Sequence, residues 1–165
     1  HTRYPLVTGV QTCALPICDI EAGKRTFAAA RCVVCHRYGD DGGSTGPDLT
    51  QAGGRFQLKD LVEAMVVPSK VVSDQYKGSI VTTQDGKAHV GRIVKDSPDS
   101  IVIVTDPEDS TKFVELGRAE IDEIVPATES LMPKALLDTL NEEEVLDLLA
   151  YTLARGNRND GRFRK

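Results

Sequence analysis

Residues 32–36 read CVVCH, inside the stretch ARCVVCHRYGDDGGSTGPDL of residues 30–49. Cys32 and Cys35 are separated by two residues, and His36 follows the second thiol directly. Such a group can bind a metal, work as a redox dithiol or attach a cofactor. The segments around the motif indicate which of these fits, and the answer in turn predicts the fold.

Two of these interpretations lack support elsewhere in the chain. A zinc site normally has four nitrogen or sulfur ligands. Beyond residues 1–18, His89 is the only further histidine or cysteine, and it lies alone in a strand-like segment. A thioredoxin-like dithiol would follow a strand and begin a helix. Here the motif ends a helical pattern and leads into a glycine-rich loop, so both interpretations are disfavoured, although the sequence leaves them open.

Covalent attachment of haem accounts for the whole motif. Two cysteines at this spacing, Cys32 and Cys35, can add to the two vinyl groups of haem, and His36 then lies under the iron. A ligating histidine usually donates its other N–H to a fixed acceptor. We predict that this acceptor is the carbonyl oxygen of Pro47, with a simple chain turn at Gly46–Pro47 as the alternative.

The chain has two methionines that could supply a further iron ligand. Met65 lies on the apolar stripe of a predicted helix, where methionine most often fills a core. Met132 precedes Pro133 in an irregular segment, so its sulfur can be directed at a cofactor without carrying a helix along. We predict Met132 as the axial ligand. The alternative is a packing role for Met132, with water or nothing on the iron.

Helical patterns occupy both ends of the informative sequence. The first begins at Asp19, which can cap a helix, and runs into the CVVCH motif. Gly23 and Phe27 share one face of it, which predicts a close helix crossing. A second pattern covers QLKDLVEAMVV, and the last covers EEEVLDLLAYTLARG. Asn141 and Glu144 form a predicted capping box at the start of the last helix.

The pattern between Tyr76 and Pro126 is extended rather than helical. Short runs rich in Val, Ile and Thr are separated by turn signals such as Asp-Gly and Asp-Pro. The five runs are GSIVTT, AHVGRIV, SIVIVTD, KFVEL and EIDEIV. They predict a small antiparallel sheet or barrel.

Composition excludes several classes of protein. The 165 residues carry a net charge of −5, which argues against nucleic acid as a partner because phosphate binding needs a concentrated basic surface. No run reaches the roughly 18 apolar residues of a membrane span.

Val7–Ile17 resembles the translation of a DNA-sequencing adapter, so we expect residues 1–18 to be an artefact or a disordered leader, and the natural N-terminus to be unknown.

Taken together, these motifs resemble a class I cytochrome c. More narrowly, the chain is similar to the planctomycete-type haem-binding domain, also called the Pirellula/Verrucomicrobium type. The resemblance covers about residues 19–156. It rests on the first helix, CVVCH, the GPDL turn, Met132-Pro133 and the closing helix, in the family order.

The resemblance implies a fold and a division into domains. We expect a mainly α, cytochrome c-like helical domain with an inserted small antiparallel β segment, which is an α+β architecture. The predicted units are a leader at 1–18, a haem domain at 19–76 and 126–156, a five-stranded β subdomain at 77–125 and a solvated tail at 157–165.

The resemblance also implies a function. It predicts one haem c per chain, with His36 and Met132 as axial ligands, and transfer of single electrons to or from a redox partner or a fused dehydrogenase domain. It further implies an exported, periplasmic protein. The alternative is a haem-based gas or redox sensor with an exchangeable sixth ligand. A peroxidase would need a distal His or Arg pair, for which the sequence offers little.

Overall fold

The computed structural model describes residues 18–163 except 156 and 158. The adapter-like segment of the predicted leader lies outside the described residues. Within them the helices are α1 (Ile20–Ala29), α2 (Cys32–Cys35), α3 (Ala52–Arg55), α4 (Leu58–Val66) and α5 (Glu142–Leu153). The strands are β1 (Arg37–Tyr38), β2 (Asp41–Gly42), β3 (Ser79–Thr83), β4 (Ala88–Asp96), β5 (Ser100–Val104), β6 (Phe113–Gly117) and β7 (Ile121–Pro126).

The prediction of a mainly α fold is wrong. Helical residues are 31% of the structure and strands 24%, so the architecture is a mixture of short helices and sheet. The physical reason is that glycine and proline interrupt the helical patterns, and α2 and α3 have only four residues each. The longest helix has 12 residues, and none in the described part of the chain has the length and apolarity to cross a membrane.

The two terminal helical patterns form a tightly crossed pair, as predicted. Asp19 caps α1 by accepting from the backbone N–H groups of Glu21 and Ala22. A Cβ atom added at Gly23 would lie 2.0 Å from the carbonyl oxygen of Asp147 on α5. Only glycine therefore permits this approach. Phe27 fills the adjacent space, with its ring centroid 5.6 Å from that of Tyr151.

The predicted capping box at the start of α5 is also confirmed. The Glu144 N–H donates to the Asn141 side chain at 2.9 Å, and the Asn141 N–H donates to the Glu144 carboxylate at 2.9 Å. Both bonds satisfy donors that a helix N-terminus would otherwise leave unpaired. The sequence from 141 to 144 thus fixes where α5 begins.

The five predicted strands form one antiparallel sheet, in the order β6-β5-β4-β3-β7. Alternation of side chains directs one set of residues into a separate apolar core, which consists of Val81, Ile101, Ile103 and Leu116. A second core joins the helices and includes Phe27, Tyr38, Leu148 and Tyr151. The sheet and the helices therefore each bury apolar surface of their own.

The first helix ends earlier than its sequence predicts. We expected it to continue to Cys32, but α1 ends at Ala29 and Arg31 adopts a left-handed conformation with φ 63°. This conformation is uncommon for a residue other than glycine. Because the chain turns at Arg31, the CVVCH motif begins a separate helical turn instead of completing α1.

Both ends of the described chain pack against the helical core. Cys18, the last residue of the predicted leader, is 3% exposed, and Phe163 is 8% exposed. Both belong to the core cluster that joins the helices. The expectation of a solvated tail is therefore wrong at Phe163, because its ring packs in the apolar core. The basic residues around it in the sequence do not suggest this contact.

Candidate cofactor site

The CVVCH motif forms a single helical turn with its two thiols at the ends. Cys32 is the first residue of α2 and Cys35 the last, so their three-residue spacing places them on one side of the turn. Both are free, half-buried thiols. His36 leaves the helix in an extended conformation, and its backbone N–H donates to the carbonyl of Cys32 at 2.9 Å.

The His36 ring is oriented by the loop that follows it. Its Nδ1 atom lies 2.8 Å from the carbonyl oxygen of Pro47. A carbonyl can only accept, so Nδ1 carries the proton and Nε2 keeps its lone pair. Burial lowers the pKa of His36, and the bond to Pro47 acts in the opposite direction. The structure thus has the contact between His36 and Pro47 that the spacing predicted.

Gly46 packs against the same ring. A Cβ atom at this position would lie 2.8 Å from Cε1 and 2.9 Å from Nδ1 of His36. The backbone of Gly46 therefore occupies the space directly beside the imidazole, and a larger residue would displace the ring. From the sequence, Gly46 was only part of a turn, and its contact with His36 depends on the fold of the whole loop.

Backbone hydrogen bonds fix this loop to the helical turn. The N–H of Gly43 donates to the Val33 carbonyl at 2.9 Å, and the N–H of Gly46 donates to the Cys35 carbonyl at 2.8 Å. These bonds pair carbonyls at the end of α2 that the helix itself leaves free. The orientation of His36 is thus set by main-chain groups.

The environment of the turn is apolar on the side of the helical core. Burial raises the pKa of Cys32 to about 11, so its thiol is protonated at neutral pH. Other partly buried apolar side chains pack against the same helical core as Cys32, namely Val33, Leu49, Leu58, Val62 and Met65. Two thiols on one turn, a histidine held through Nδ1 and an apolar surround fit a covalently attached haem.

The loop between β5 and β6 also contacts this turn, which the sequence did not predict. The carbonyl oxygen of Pro107 accepts from Cys35 Sγ at 3.1 Å and from Thr45 Oγ1 at 2.5 Å. The guanidinium of Arg31 binds the carboxylate of Glu108 through two bonds, at 3.0 and 2.5 Å. No sequence signal could find these pairs, because 72 residues separate Cys35 from Pro107.

Met132 lies in the irregular segment between β7 and α5 and is half-buried. Its N–H donates to the Ser130 hydroxyl at 3.1 Å, and the N–H of Ser130 donates to the Ser69 hydroxyl at 3.0 Å. This segment is therefore fixed to the chain that follows α4. Met65 packs against the helical core, as predicted. Met132 as an iron ligand stays a prediction.

Comparison with known proteins agrees with the chemistry of the turn. No curated protein matches the chain significantly. The family model for cytochrome c matches residues 20–125, which is more than half of the sequence. The matched region contains the attachment turn and the sheet, and it ends before Met132. The chain therefore belongs to the cytochrome c family of haem-binding, electron-transfer proteins.

Proposed function

We propose that the chain is a c-type cytochrome domain that holds one haem through thioether bonds to Cys32 and Cys35 and transfers single electrons. The observation that carries the proposal is the 2.8 Å contact between His36 Nδ1 and the Pro47 carbonyl, directly beside two free thiols. It leaves Nε2 as the ring atom with a lone pair for iron. When bound, haem supplies an iron that alternates between the ferric and ferrous states.

Residues of the chain determine how the iron would be held and how readily it would be reduced. Pro47 and Gly46 hold the His36 ring in one orientation, so little rearrangement accompanies a change of charge. We assign the sixth ligand to Met132, on the basis of its loop position and the family resemblance. A methionine thioether favours the ferrous state and raises the potential relative to two histidine ligands.

The wider context of the proposal comes from the resemblance alone. We propose that the domain belongs to a larger exported protein of the periplasm and accepts electrons from a fused dehydrogenase-like region. The net charge of −5 suits a partner with a basic surface. The rate of reduction by that partner should then fall as ionic strength rises, and a rate that is indifferent to salt would contradict the docking part of the proposal.

The decisive experiment is retention of haem after denaturation. The chain is produced in a host that matures c-type cytochromes, denatured and separated from free haem. We expect the colour to remain with the polypeptide in the unmodified protein and to be lost in the double variant Cys32→Ala, Cys35→Ala. A colourless unmodified chain would refute haem attachment.

Carbon monoxide separates electron transfer from sensing. A sixth ligand that stays in place excludes carbon monoxide from the reduced iron, whereas an exchangeable position admits it. We expect the reduced, unmodified protein to show no spectral change with carbon monoxide at neutral pH. A clear spectral change would favour a gas or redox sensor.

A further inference from the structure

The β5–β6 loop (residues 105–112) places one carbonyl group, that of Pro107, against the attachment turn and the loop that follows it. The Pro107 oxygen accepts two side-chain hydrogen bonds, from Thr45 Oγ1 at 2.5 Å and from Cys35 Sγ at 3.1 Å. All three residues are half-buried. A carbonyl oxygen has two lone pairs, so both donors can be accommodated at once.

The ion pair between Arg31 and Glu108 lies beside this contact. It orients the loop but adds little to the stability of the loop. Arg31 and Glu108 meet in a two-pronged geometry, yet their side chains are 60% and 40% exposed. Exposed pairs of this kind contribute little because water screens them and ordering their side chains costs entropy. The contacts of Pro107 are less exposed, so we expect them to decide whether the loop stays in place.

Attachment of haem would change one of these two donors. In thioether formation the Cys35 thiol adds across a vinyl group: the S–H bond breaks, a sulfur–carbon bond forms, and the proton goes to the other vinyl carbon. No oxidant is consumed. The resulting thioether sulfur has no hydrogen and can no longer donate to the Pro107 carbonyl.

We propose that Thr45 is the positioning residue that keeps the β5–β6 loop on the attachment turn once Cys35 has become a thioether. Before attachment two side chains donate to Pro107; afterwards Thr45 is the one of this pair that still can. The inference rests on the proposed attachment of haem to Cys35. It gives the sheet a defined role, because its β5–β6 loop becomes a cover that the Thr45 hydroxyl helps to hold in place.

Limited proteolysis of the haem-loaded protein with a glutamate-specific protease tests this proposal. Cleavage after Glu108 requires its side chain to leave Arg31 and enter the protease, so the rate reports the released fraction of the loop. Loss of one net hydrogen bond should raise that fraction about fivefold. Cleavage after Glu129, in another exposed segment, provides the internal reference.

Three variants make the measurement specific. Thr45→Val removes the donor and should raise cleavage after Glu108 about fivefold relative to the reference. Thr45→Ser keeps a hydroxyl and should cleave at the wild-type rate. Thr111→Val removes a hydroxyl that donates to Asp109 within the same loop, and should also match wild type. A Thr45→Val protein that is cleaved at the wild-type rate would overturn the proposal.

Variants at Cys35, with haem held through Cys32, provide an independent arm. In Cys35→Ser the hydroxyl restores a donor beside Pro107, so Thr45→Val should have a smaller effect in that background because the carbonyl is not left without a partner. In Cys35→Ala it should retain its full effect. Equal effects in both backgrounds would also overturn the proposal.

Covalent haem is assayed in the same samples, so a failure of haem attachment can be distinguished from a failure of the role proposed for Thr45. A chain without covalent haem would refute the proposed function and this inference together. A haem-loaded chain with an unaltered loop would refute only the role of Thr45.

Discussion

The Nδ1 atom of His36 lies 2.8 Å from the carbonyl oxygen of Pro47, and the backbone of Gly46 packs against the same ring. The acceptor is a main-chain group in a loop that is itself hydrogen-bonded to the attachment turn. The backbone conformation of this loop therefore determines the position of the His36 ring. Residue 46 is therefore a sensitive position of the loop, because a side chain there would meet the His36 ring.

Replacing Gly46 with alanine should disturb the site. The new Cβ would lie 2.8 Å from Cε1 of His36, so the ring or the loop must move. Overpacking of this kind costs about 1–3 kcal/mol. We expect a lower free energy of unfolding and less covalently bound haem, measured by denaturant titration and by absorbance of the denatured protein.

Gly161→Ala is the matched control for this variant. No atom lies within 4 Å of a Cβ built at Gly161, so its stability should stay within about 0.5 kcal/mol of wild type. If Gly46→Ala behaved in the same way, the contact with His36 would not constrain the ring.

Met132→Ala should lower the reduction potential and allow carbon monoxide to bind the reduced protein, because the proposed thioether ligand is removed. Potentiometric titration and absorption spectra measure both effects. Met65→Ala is the control: Met65 packs on the helical core, so this variant should lose about 1–2 kcal/mol of stability without a change in potential. An unchanged potential in Met132→Ala would remove Met132 from the site.

The reactivity of Cys32 in the haem-free chain should depend on pH. Burial raises its pKa from 9.0 to about 11, so the neutral thiol contributes stability that is fully present below pH 9 and is lost as the pH rises through about 11. Alkylation of Cys32, followed by peptide mass spectrometry, should therefore increase up to about pH 11. The urea-unfolded chain should level off near pH 9; a folded chain that did the same would contradict the burial of this thiol.

Phe163 should contribute measurably to stability even though it lies near the end of the chain. It is 8% exposed and packs in the helical core, so Phe163→Ala should lower the free energy of unfolding by about 2–4 kcal/mol. Phe113 is 58% exposed, and Phe113→Ala should cost less than about 1 kcal/mol. Equal, small effects would restore the expectation of a solvated tail.

Local patterns predicted the elements of this fold well. Alternating Val, Ile and Thr located all five strands of the sheet, and Asn141 with Glu144 located the start of α5, because each signal depends on neighbours a few residues apart. Gly23 and Phe27 predicted the helix crossing for the same reason. The contact of His36 with Pro47 spans 11 residues, so spacing could suggest it.

Features that depend on tertiary contacts could not be predicted. Arginine has no preference for a positive φ, so nothing in the sequence indicates the turn at Arg31 that separates α1 from the attachment motif. The mainly α prediction came from the family resemblance and gave too little weight to the five-stranded sheet, which the strand patterns themselves indicated. The contacts of Pro107 join segments that approach each other only when the sheet has formed.

The separation between these segments also sets an order of events during folding. The bond between Cys35 and Pro107 closes a loop of 72 residues, whereas α2 and the loop beside it form within about 15 residues. Closing long loops costs more entropy, and local contacts tend to form earlier. We therefore expect the turn to form first, with both thiols accessible from one side. The β5–β6 loop covers this side only after the sheet has folded.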